Sequence, residues 1–192
     1  TSPLTMSDLQ KATHDISVQR PADVRGLKHL YSYITVAVDW AGGSMVSDSY
    51  TAYAVLGLRR DSDLIDVLYG KRIKHGVTPT DEANEIMDWI RGTGADAFTY
   101  DNGGETPGLV VIPINYVRPR AGDVMVPHTG MRESDLYYYT LDKSRSLAIT
   151  VMSIKATRVR VPKFAETDEK AFQRDLLALR EDPNSNHFSN AF

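Results

Sequence analysis

The feature that most constrains the fold is the segment Tyr33–Gly43, in which an apolar strand ends in an acid and a pair of glycines. Five of the six residues from Ile34 to Asp39 are apolar or β-branched, and the chain then turns at Gly42-Gly43. Ligands bind at strand ends in sheets that are flanked by helices, so Asp39 is a candidate site residue. A carboxylate that hydrogen-bonds only the glycine turn would give the same pattern.

Composition limits the class of protein. The chain has 192 residues, of which 42% are hydrophobic, which predicts one domain at residues 31–192 and a linker or N-terminal extension at 1–30. It contains no run of 18 apolar residues and no basic-then-apolar leader, so we expect no membrane span and no secretory signal. The absence of cysteine excludes disulfides, thiolate catalysis and zinc-thiolate sites, and it fits a reducing compartment.

Charge is distributed unevenly along the chain. The formal net charge is -3, yet residues 108–163 carry 9 Lys and Arg against 4 Asp and Glu. Carboxylates that hold a metal, followed by cations that hold substrate phosphates, would produce this pattern. A solvated basic face would also produce it.

The N-terminal half predicts an antiparallel meander followed by a helix. We expect a short helix over Ser7–His14 and a helical turn after Arg20-Pro21. Alternation of apolar residues and turn signals then predict three strands, at residues 34–39, 49–59 and 64–70. A helix with Thr80 as its N-cap follows and ends near Gly92, and its apolar stripe comprises Ala83, Ile86, Met87 and Ile90.

The strand, acid and paired-glycine pattern occurs a second time, at Ala95–Gly104. A helical crossover between the two copies would make the second strand parallel to a strand of the meander. We therefore predict that Asp39 and Asp101 lie side by side, on neighbouring strands and close enough to share a cation.

The C-terminal half is predicted to alternate between strands and helices. We expect a strand at Leu109–Ile114, then a basic loop, and then a helix from Arg132 to Ile154. A strand at Thr157–Val161 and a helix at Thr167–Leu179, which ends near Asp182-Pro183, should follow. The last residues, Asn184–Phe192, are predicted to be the first turns of a truncated helix.

Taken in order, these motifs resemble the nuclease domain of a tailed-bacteriophage large terminase. The resemblance covers residues 31–192 and rests on Val-Asp-Trp-Ala-Gly-Gly, Tyr-Asp-Asn-Gly-Gly, Leu-Asp-Lys-Ser-Arg and the closing Asn-His-Phe-Ser-Asn-Ala-Phe. It implies an α/β, RNase H-like fold with a mixed central sheet flanked by helices. It also implies an endonuclease that cuts double-stranded viral DNA during genome packaging with two Mg2+ or Mn2+ ions.

The resemblance further implies partners and a location. These are double-stranded DNA, an N-terminal ATPase domain, the portal and the small terminase subunit, on the procapsid in the host cytoplasm and not in a membrane. The chain contains no Walker A motif, so it is not itself the ATP motor.

Carried over residue by residue, the resemblance makes Asp39, Asp101 and Asn186 the catalytic metal ligands. The third position has an amide where the family has an acid, and an amide ligates Mg2+ less well than a carboxylate. Three explanations are open: Asp182 supplies the third acid, the protein was altered to stop cleavage, or Asn186 or His187 is itself the third ligand. Glu105 is a further acid near Asp101 in the sequence that could help to bind the metal. We expect little cleavage by this chain, and more by an Asn186→Asp variant.

The predicted DNA contacts are four cations of the basic segment: Arg118, Arg120, Lys143 and Arg145. Two other functions remain open. A resolvase or integrase-like nuclease on the same fold would prefer branched DNA. A catalytically silent module would only bind DNA or a partner, and the missing third acid favours it.

Overall fold

The computed structural model describes residues 2–39, 50–100, 143–163, 173–182 and 187–190, with backbone only at 79, 99–100, 143–146, 181–182 and 187–190. The helices are α1 (Met6–Lys11), α2 (Pro21–Arg25), α3 (Pro79–Thr93) and α4 (Lys143–Lys155), with a 3-10 turn at Lys28–Leu30. The strands are β1 (Thr13–His14), β2 (Tyr31–Asp39), β3 (Ala52–Arg59), β4 (Ile65–Arg72), β5 (Ala97–Tyr100), β6 (Val159–Pro162), β7 (Leu179–Asp182) and β8 (His187–Asn190).

Six of these strands form one mixed sheet in the order β1-β6-β4-β3-β2-β5. The predicted meander is confirmed, because β3 pairs antiparallel with both β2 and β4. β5 is parallel to β2, β6 is parallel to β4, and β1 is parallel to β6. The predicted mixed sheet with flanking helices is therefore present, and α3 makes the crossover into β5.

Local signals explain why α3 begins and ends where it does. The N-cap is Thr78, whose hydroxyl accepts from the Asp81 N–H at 3.1 Å, and not Thr80 as predicted. Pro79 explains the difference, since a residue without an N–H suits the first helical position, where the N–H has no intrahelical partner. Gly94 ends the helix in the left-handed region with φ 64°, a conformation that glycine adopts without strain.

The main core lies between the sheet and helices α2 and α3. Ile34, Val36 and Val38 of β2 are buried, and the predicted stripe of α3 is buried with them, joined by Trp89. The Trp89 ring stacks on Tyr69 of β4, with ring centroids 4.0 Å apart. Because side chains alternate along a strand, this core places Asp39 on the face of the sheet away from α3.

The N-terminal segment, predicted as a linker or extension, is integrated into the sheet. Leu4, Leu9 and Ala12 are buried against Val151 and Ile154 of α4 in a second core cluster. The helix predicted over 7–14 ends at Lys11, because residues 13–14 form β1 and pair with β6. The helical turn predicted after Pro21 is confirmed as α2.

Two predictions for the C-terminal end are wrong. The penultimate helix does not continue through residue 179: residues 173–177 are helical, and β7 begins at Leu179, which is buried in the second core cluster. The tail does not begin a helix at 187–190, because these residues form β8, which pairs antiparallel with β7. Pairing to a docked strand satisfies the backbone of β8, so tertiary context overrides the local helical pattern.

Other predictions concern residues that the structure does not describe. The strand expected at residues 109–114, the basic loop after it and the part of the α4 helix before residue 143 lie outside the described ranges. Within those ranges, none of the helices is both long and apolar enough to cross a membrane.

Candidate active site

The parallel pair of strands β2 and β5 brings two carboxyl ends to one edge of the sheet. The register pairs Thr35 with Ala97 and Val38 with Tyr100. Asp39 is the last residue of β2 and its side chain is exposed. The repeated motif predicted that the second strand is parallel to a strand of the meander, and the parallel pairing of β5 with β2 confirms this. Asp101, which follows Tyr100 in the sequence, lies outside the described residues.

Asp39 shares its position along the sheet with residues of β3 and β4. It pairs with Ala52, and Ala52 pairs with Arg72 at the end of β4. Paired residues project from the same face of a sheet, so Arg72 lies on the face of Asp39, away from α3. Two strand spacings separate the Cα atoms of Asp39 and Arg72 by about 10 Å.

Arg72 belongs to a polar cluster that the sequence analysis did not single out. Its guanidinium forms an ion pair with Asp175 and lies 5.4 Å from the centroid of the Tyr50 ring. Tyr50 in turn contacts His75, with ring centroids 4.1 Å apart. The signal in the sequence was the basic run Lys71-Arg72-Ile73-Lys74-His75, which follows directly on a predicted strand of the meander.

Other predicted site residues have no described side chain. Asp182 and His187 are register partners at one end of the β7–β8 hairpin. Lys143 and Arg145 lie in the first turn of α4. Four further predicted residues lie outside the described ranges: Asn186, Glu105, Arg118 and Arg120.

Carboxylate oxygens at an exposed strand end are the kind of ligand that Mg2+ and Mn2+ prefer. Asp39 therefore fits such an ion by its chemistry and its exposure. Within the described part of the chain, however, no group of three His, Asp or Glu residues has the geometry to hold a metal. A complete site requires ligands from residues whose side chains the structure does not describe.

Several cations of the basic segment form ion pairs with acids of the N-terminal half. Lys155 contacts Asp8 at 3.6 Å, and Lys163 contacts Asp15 at 2.8 Å. Arg160 is paired with Asp66. The uneven charge distribution along the sequence is thus partly cancelled in the fold, and these three cations serve internal contacts.

The Arg160–Asp66 pair is part of a buried cluster at the other end of the sheet. The Asp66 carboxylate is 0% exposed, and both of its oxygens accept hydrogen bonds from Arg160, at 2.7 and 2.9 Å. The Tyr31 hydroxyl donates to it at 2.7 Å. Burial opposes ionisation of Asp66, but the hydrogen bonds from Arg160 and Tyr31 outweigh it and hold the pKa of Asp66 below its usual range. The same burial and contact raise the pKa of Tyr31.

His14 completes this cluster from the N-terminal segment. Its Nε2 lies 2.7 Å from the Val67 carbonyl oxygen, and the Ile16 N–H donates to its Nδ1 at 3.2 Å. These contacts assign the proton to Nε2 of a neutral ring, because Nδ1 acts as an acceptor. Burial lowers the pKa of His14, which agrees with the neutral form.

A second partly buried acid, Glu82, lies in the first turn of α3. Thr51, next to Ala52, donates its hydroxyl hydrogen to Glu82 at 3.0 Å. Burial raises the pKa of Glu82, and this hydrogen bond only partly offsets the rise. Thr51 alternates with Ala52 along β3, so Glu82 lies on the α3 face of the sheet and Asp39 on the other.

Comparisons with known proteins give the fold. No protein-family model and no curated protein matches the sequence. Among solved structures, the chain resembles the nuclease domain of the human cytomegalovirus terminase, at 13% identity, with a TM-score of 0.57 over 90% of this chain and 83% of that one. It also resembles the nuclease domain of the P22 large terminase, at 15% identity, with a TM-score of 0.52 over 83% of this chain and 73% of that one. The chain therefore has a terminase-nuclease-like fold of the RNase H-like class, as the sequence motifs predicted.

Proposed function

We propose that this chain is a divalent-metal-dependent endonuclease that cuts double-stranded viral DNA during genome packaging. The observation that carries the proposal is the parallel β2–β5 pair, in which Asp39 ends one strand and Val38 is in register with Tyr100. Asp101 follows Tyr100 directly, so the register supports a pair of carboxylates at one edge. Two adjacent carboxylates repel each other, and bound cations relieve that repulsion.

The metal would be held by Asp39 and Asp101 with a third ligand. When bound, a pair of Mg2+ or Mn2+ ions supplies activation of the attacking water and stabilisation of the leaving oxygen in phosphodiester hydrolysis. The exposed position of Asp39 leaves room for a phosphate beside it. Manganese is a reasonable choice for the test, since a similar cytomegalovirus nuclease domain was studied after soaking with Mn.

The third ligand is proposed to be residue 186 or a residue near it. Since β8 begins at His187, Asn186 precedes a strand of the β7–β8 hairpin and not a helix. Asp182, His187 and Glu105 remain alternatives. Asp175 joins them, because its ion pair with Arg72 brings a carboxylate from the C-terminal segment to the edge that carries Asp39.

The biological setting is proposed from the same resemblance. The two similar structures are nuclease domains of terminases, one from human cytomegalovirus and one from P22. The tailed-phage motifs of the sequence favour action on the procapsid in the host cytoplasm, with an N-terminal ATPase domain, the portal and the small terminase subunit as partners.

Nicking of supercoiled plasmid tests the proposal. With Mn2+ we expect weak nicking by the chain as given, at least 10-fold more by Asn186→Asp, and none in EDTA. Adding Asp39→Asn to the Asn186→Asp protein should reduce nicking at least 100-fold, since loss of a metal ligand removes several kcal/mol of transition-state stabilisation.

The matched control is Asp63→Asn, an exposed acid in the β3–β4 turn at the opposite end of the sheet. It should leave nicking unchanged. Nicking that survives in EDTA or in the Asp39→Asn variant would refute the metal site. DNA binding without nicking in every variant would instead favour the silent module.

A further inference from the structure

We infer that the phosphodiester backbone of duplex DNA crosses the carboxyl end of β4, where Arg72 and Lys74 hold phosphates beside the cleavage site. This inference rests on the proposed nuclease function and adds a DNA contact surface to it. The surface comprises four residues, Tyr50, Arg72, Lys74 and His75, and we call it the β4-end surface.

Arg72 lies at the same end of the sheet as Asp39 and on the same face. β2 and β4 are both antiparallel to β3, so their carboxyl ends lie at the same edge of the sheet. The register Asp39–Ala52–Arg72 places Arg72 on the face of Asp39. At about 10 Å between Cα atoms, Arg72 can hold a phosphate next to the one that a cation at Asp39 would contact.

The Arg72 guanidinium is already oriented. Its side chain is 43% exposed, and the face of the Tyr50 ring lies 5.4 Å from it. Tyr50, itself 43% exposed, is buttressed by the His75 ring. A planar guanidinium held against an aromatic ring loses less conformational freedom when it binds a phosphate in bidentate fashion.

The Asp175 carboxylate occupies the position that a phosphate would take. It forms an ion pair with Arg72, and its side chain is 35% exposed. An exposed pair of this kind is weak, so a phosphate can replace the carboxylate at little cost. Arg72 would then exchange one anion for another without leaving the Tyr50 ring.

Lys74 adds a second cation to this surface. It is exposed, and in the described part of the chain no carboxylate lies within 4 Å of its ammonium group. Lys71, in the same basic run, differs: it projects toward α3 and pairs with Glu85 at 2.7 Å. Because side chains alternate in direction along the chain here, Lys71 contacts α3, whereas Arg72 and Lys74 lie on the opposite face, where a ligand can bind.

A DNA-binding measurement tests the β4-end surface. The affinity for a labelled, non-specific DNA duplex is measured in EDTA by fluorescence anisotropy, at salt concentrations between about 50 and 200 mM. Arg72→Gln and Lys74→Gln should each weaken binding roughly 8-fold at 0.1 M salt and lower the slope of log affinity against log salt by about 0.9, the value for one lost phosphate contact. The matched control is Lys11→Gln, an exposed lysine at the end of α1, before the start of β1. It should bind as the parent chain does.

Two further variants separate this role from a structural one. Tyr50→Phe keeps the ring and should bind normally, whereas Tyr50→Ala should weaken binding because the guanidinium loses its support. Asp175→Asn should tighten binding, since it removes the anion that competes for Arg72. If the Arg72–Asp175 pair served only the fold, Asp175→Asn would leave DNA affinity unchanged or lower it, and the expected tightening would be absent.

The outcomes distinguish this inference from the proposed function. If Arg72→Gln and Lys74→Gln bind DNA as tightly as the Lys11→Gln control, with the same salt slope, the β4-end surface is refuted even when the Asn186→Asp protein nicks plasmid in Mn2+. If the parent chain neither binds duplex DNA at 50 mM salt nor nicks plasmid as Asn186→Asp, both proposals fail together.

Discussion

Two carboxylates on the same sheet, Asp66 and Asp39, differ in how deeply they are buried and in what they contact. Asp66 lies inside β4, is 0% exposed and accepts three hydrogen bonds, two from Arg160 and one from Tyr31. Asp39 lies at the last position of β2 and is exposed to solvent. The Asp66 carboxylate is held by partners inside the protein, whereas the Asp39 side chain is exposed at the end of a strand.

The cations around the two acids differ in the same way. Arg160 is committed to Asp66, with only 24% of its side chain exposed. Arg72, on the face of Asp39, is 43% exposed and is paired with an acid, Asp175, that is 35% exposed. Four substitutions test this contrast through the free energy of unfolding, from the largest expected effect to the smallest.

Asp66→Asn should have the largest effect on stability. It removes the charge that neutralises Arg160 in a buried site, and breaking such a pair costs about 3 kcal/mol or more. The matched control is Asp61→Asn, because Asp61 also accepts two hydrogen bonds from one arginine, Arg59, but is 67% exposed. The control should lose less than about 1 kcal/mol. Urea unfolding measures both, and equal losses would contradict the role given to burial.

Gly57→Ala should cost about 1 to 3 kcal/mol, because a Cβ at this position would lie 2.5 Å from a carbon of the Tyr31 ring. The ring would have to move, and its hydroxyl would lose its geometry toward Asp66. Gly70→Ala is the control, since its Cβ would meet no atom closer than 3.9 Å. Urea unfolding of the two variants should therefore give clearly different midpoints, and matching midpoints would rule out the steric argument.

His14 should make stability fall as the pH decreases. Its pKa is lowered in the fold from 6.5, so below that pH the unfolded chain binds more protons and unfolding is favoured. The groups that face it are Asp66, Arg160 and Asp15. His14→Gln should therefore flatten the fall in the free energy of unfolding between pH 7 and pH 5.

The control for this titration is His29→Gln, which changes an exposed histidine of the 3-10 turn. Because this side chain is exposed, the substitution should change the free energy of unfolding at pH 7 by less than about 0.5 kcal/mol. Urea unfolding at a series of pH values gives the comparison, and a parent and His14→Gln protein with parallel pH profiles would contradict the assignment.

Asp39→Asn should have the smallest effect on stability, about 0.5 kcal/mol or less in EDTA, because an exposed side chain at a strand end holds little of the fold. The same substitution should abolish metal-dependent nicking. A loss of stability comparable to that of Asp66→Asn would mean that Asp39 is a structural acid, and the contrast between the two carboxylates would fail.

Much of the fold could be predicted from local pattern. The meander, the stripe of α3 and the parallel return into β5 followed from periodicity and from the repeated strand, acid and paired-glycine motif. The C-terminal hairpin could not be predicted in this way. Leu179 fits either a helical stripe or a strand, and it is burial in the second core cluster, against α4, that favours the strand.

In the candidate site too, some residues could be predicted from local pattern and others could not. Asp39 was predicted as a site residue from sequence, because an apolar run and the glycines after it indicate where a strand ends. Arg72 and Tyr50 were not, since a basic run after a strand is common on solvated surfaces. The role proposed for them rests on the register that puts Arg72 at the level of Asp39, on the contact of Arg72 with Tyr50, and on its ion pair with Asp175, which is 103 residues away in the sequence.

For the meander and β5, the sequence by itself determined which segments form strands and where an acid ends one of them, because period and turn chemistry are local properties. Only the tertiary structure decided which charges neutralise each other. Tyr31 and Arg160 lie 35 and 94 residues from Asp66, and they meet there because three strands bring them together. The sequence does not show which cation will pair with a given carboxylate. A carboxylate that the fold buries must have a partner, since the free-energy cost of desolvating it unpaired is too large for a folded chain to offset.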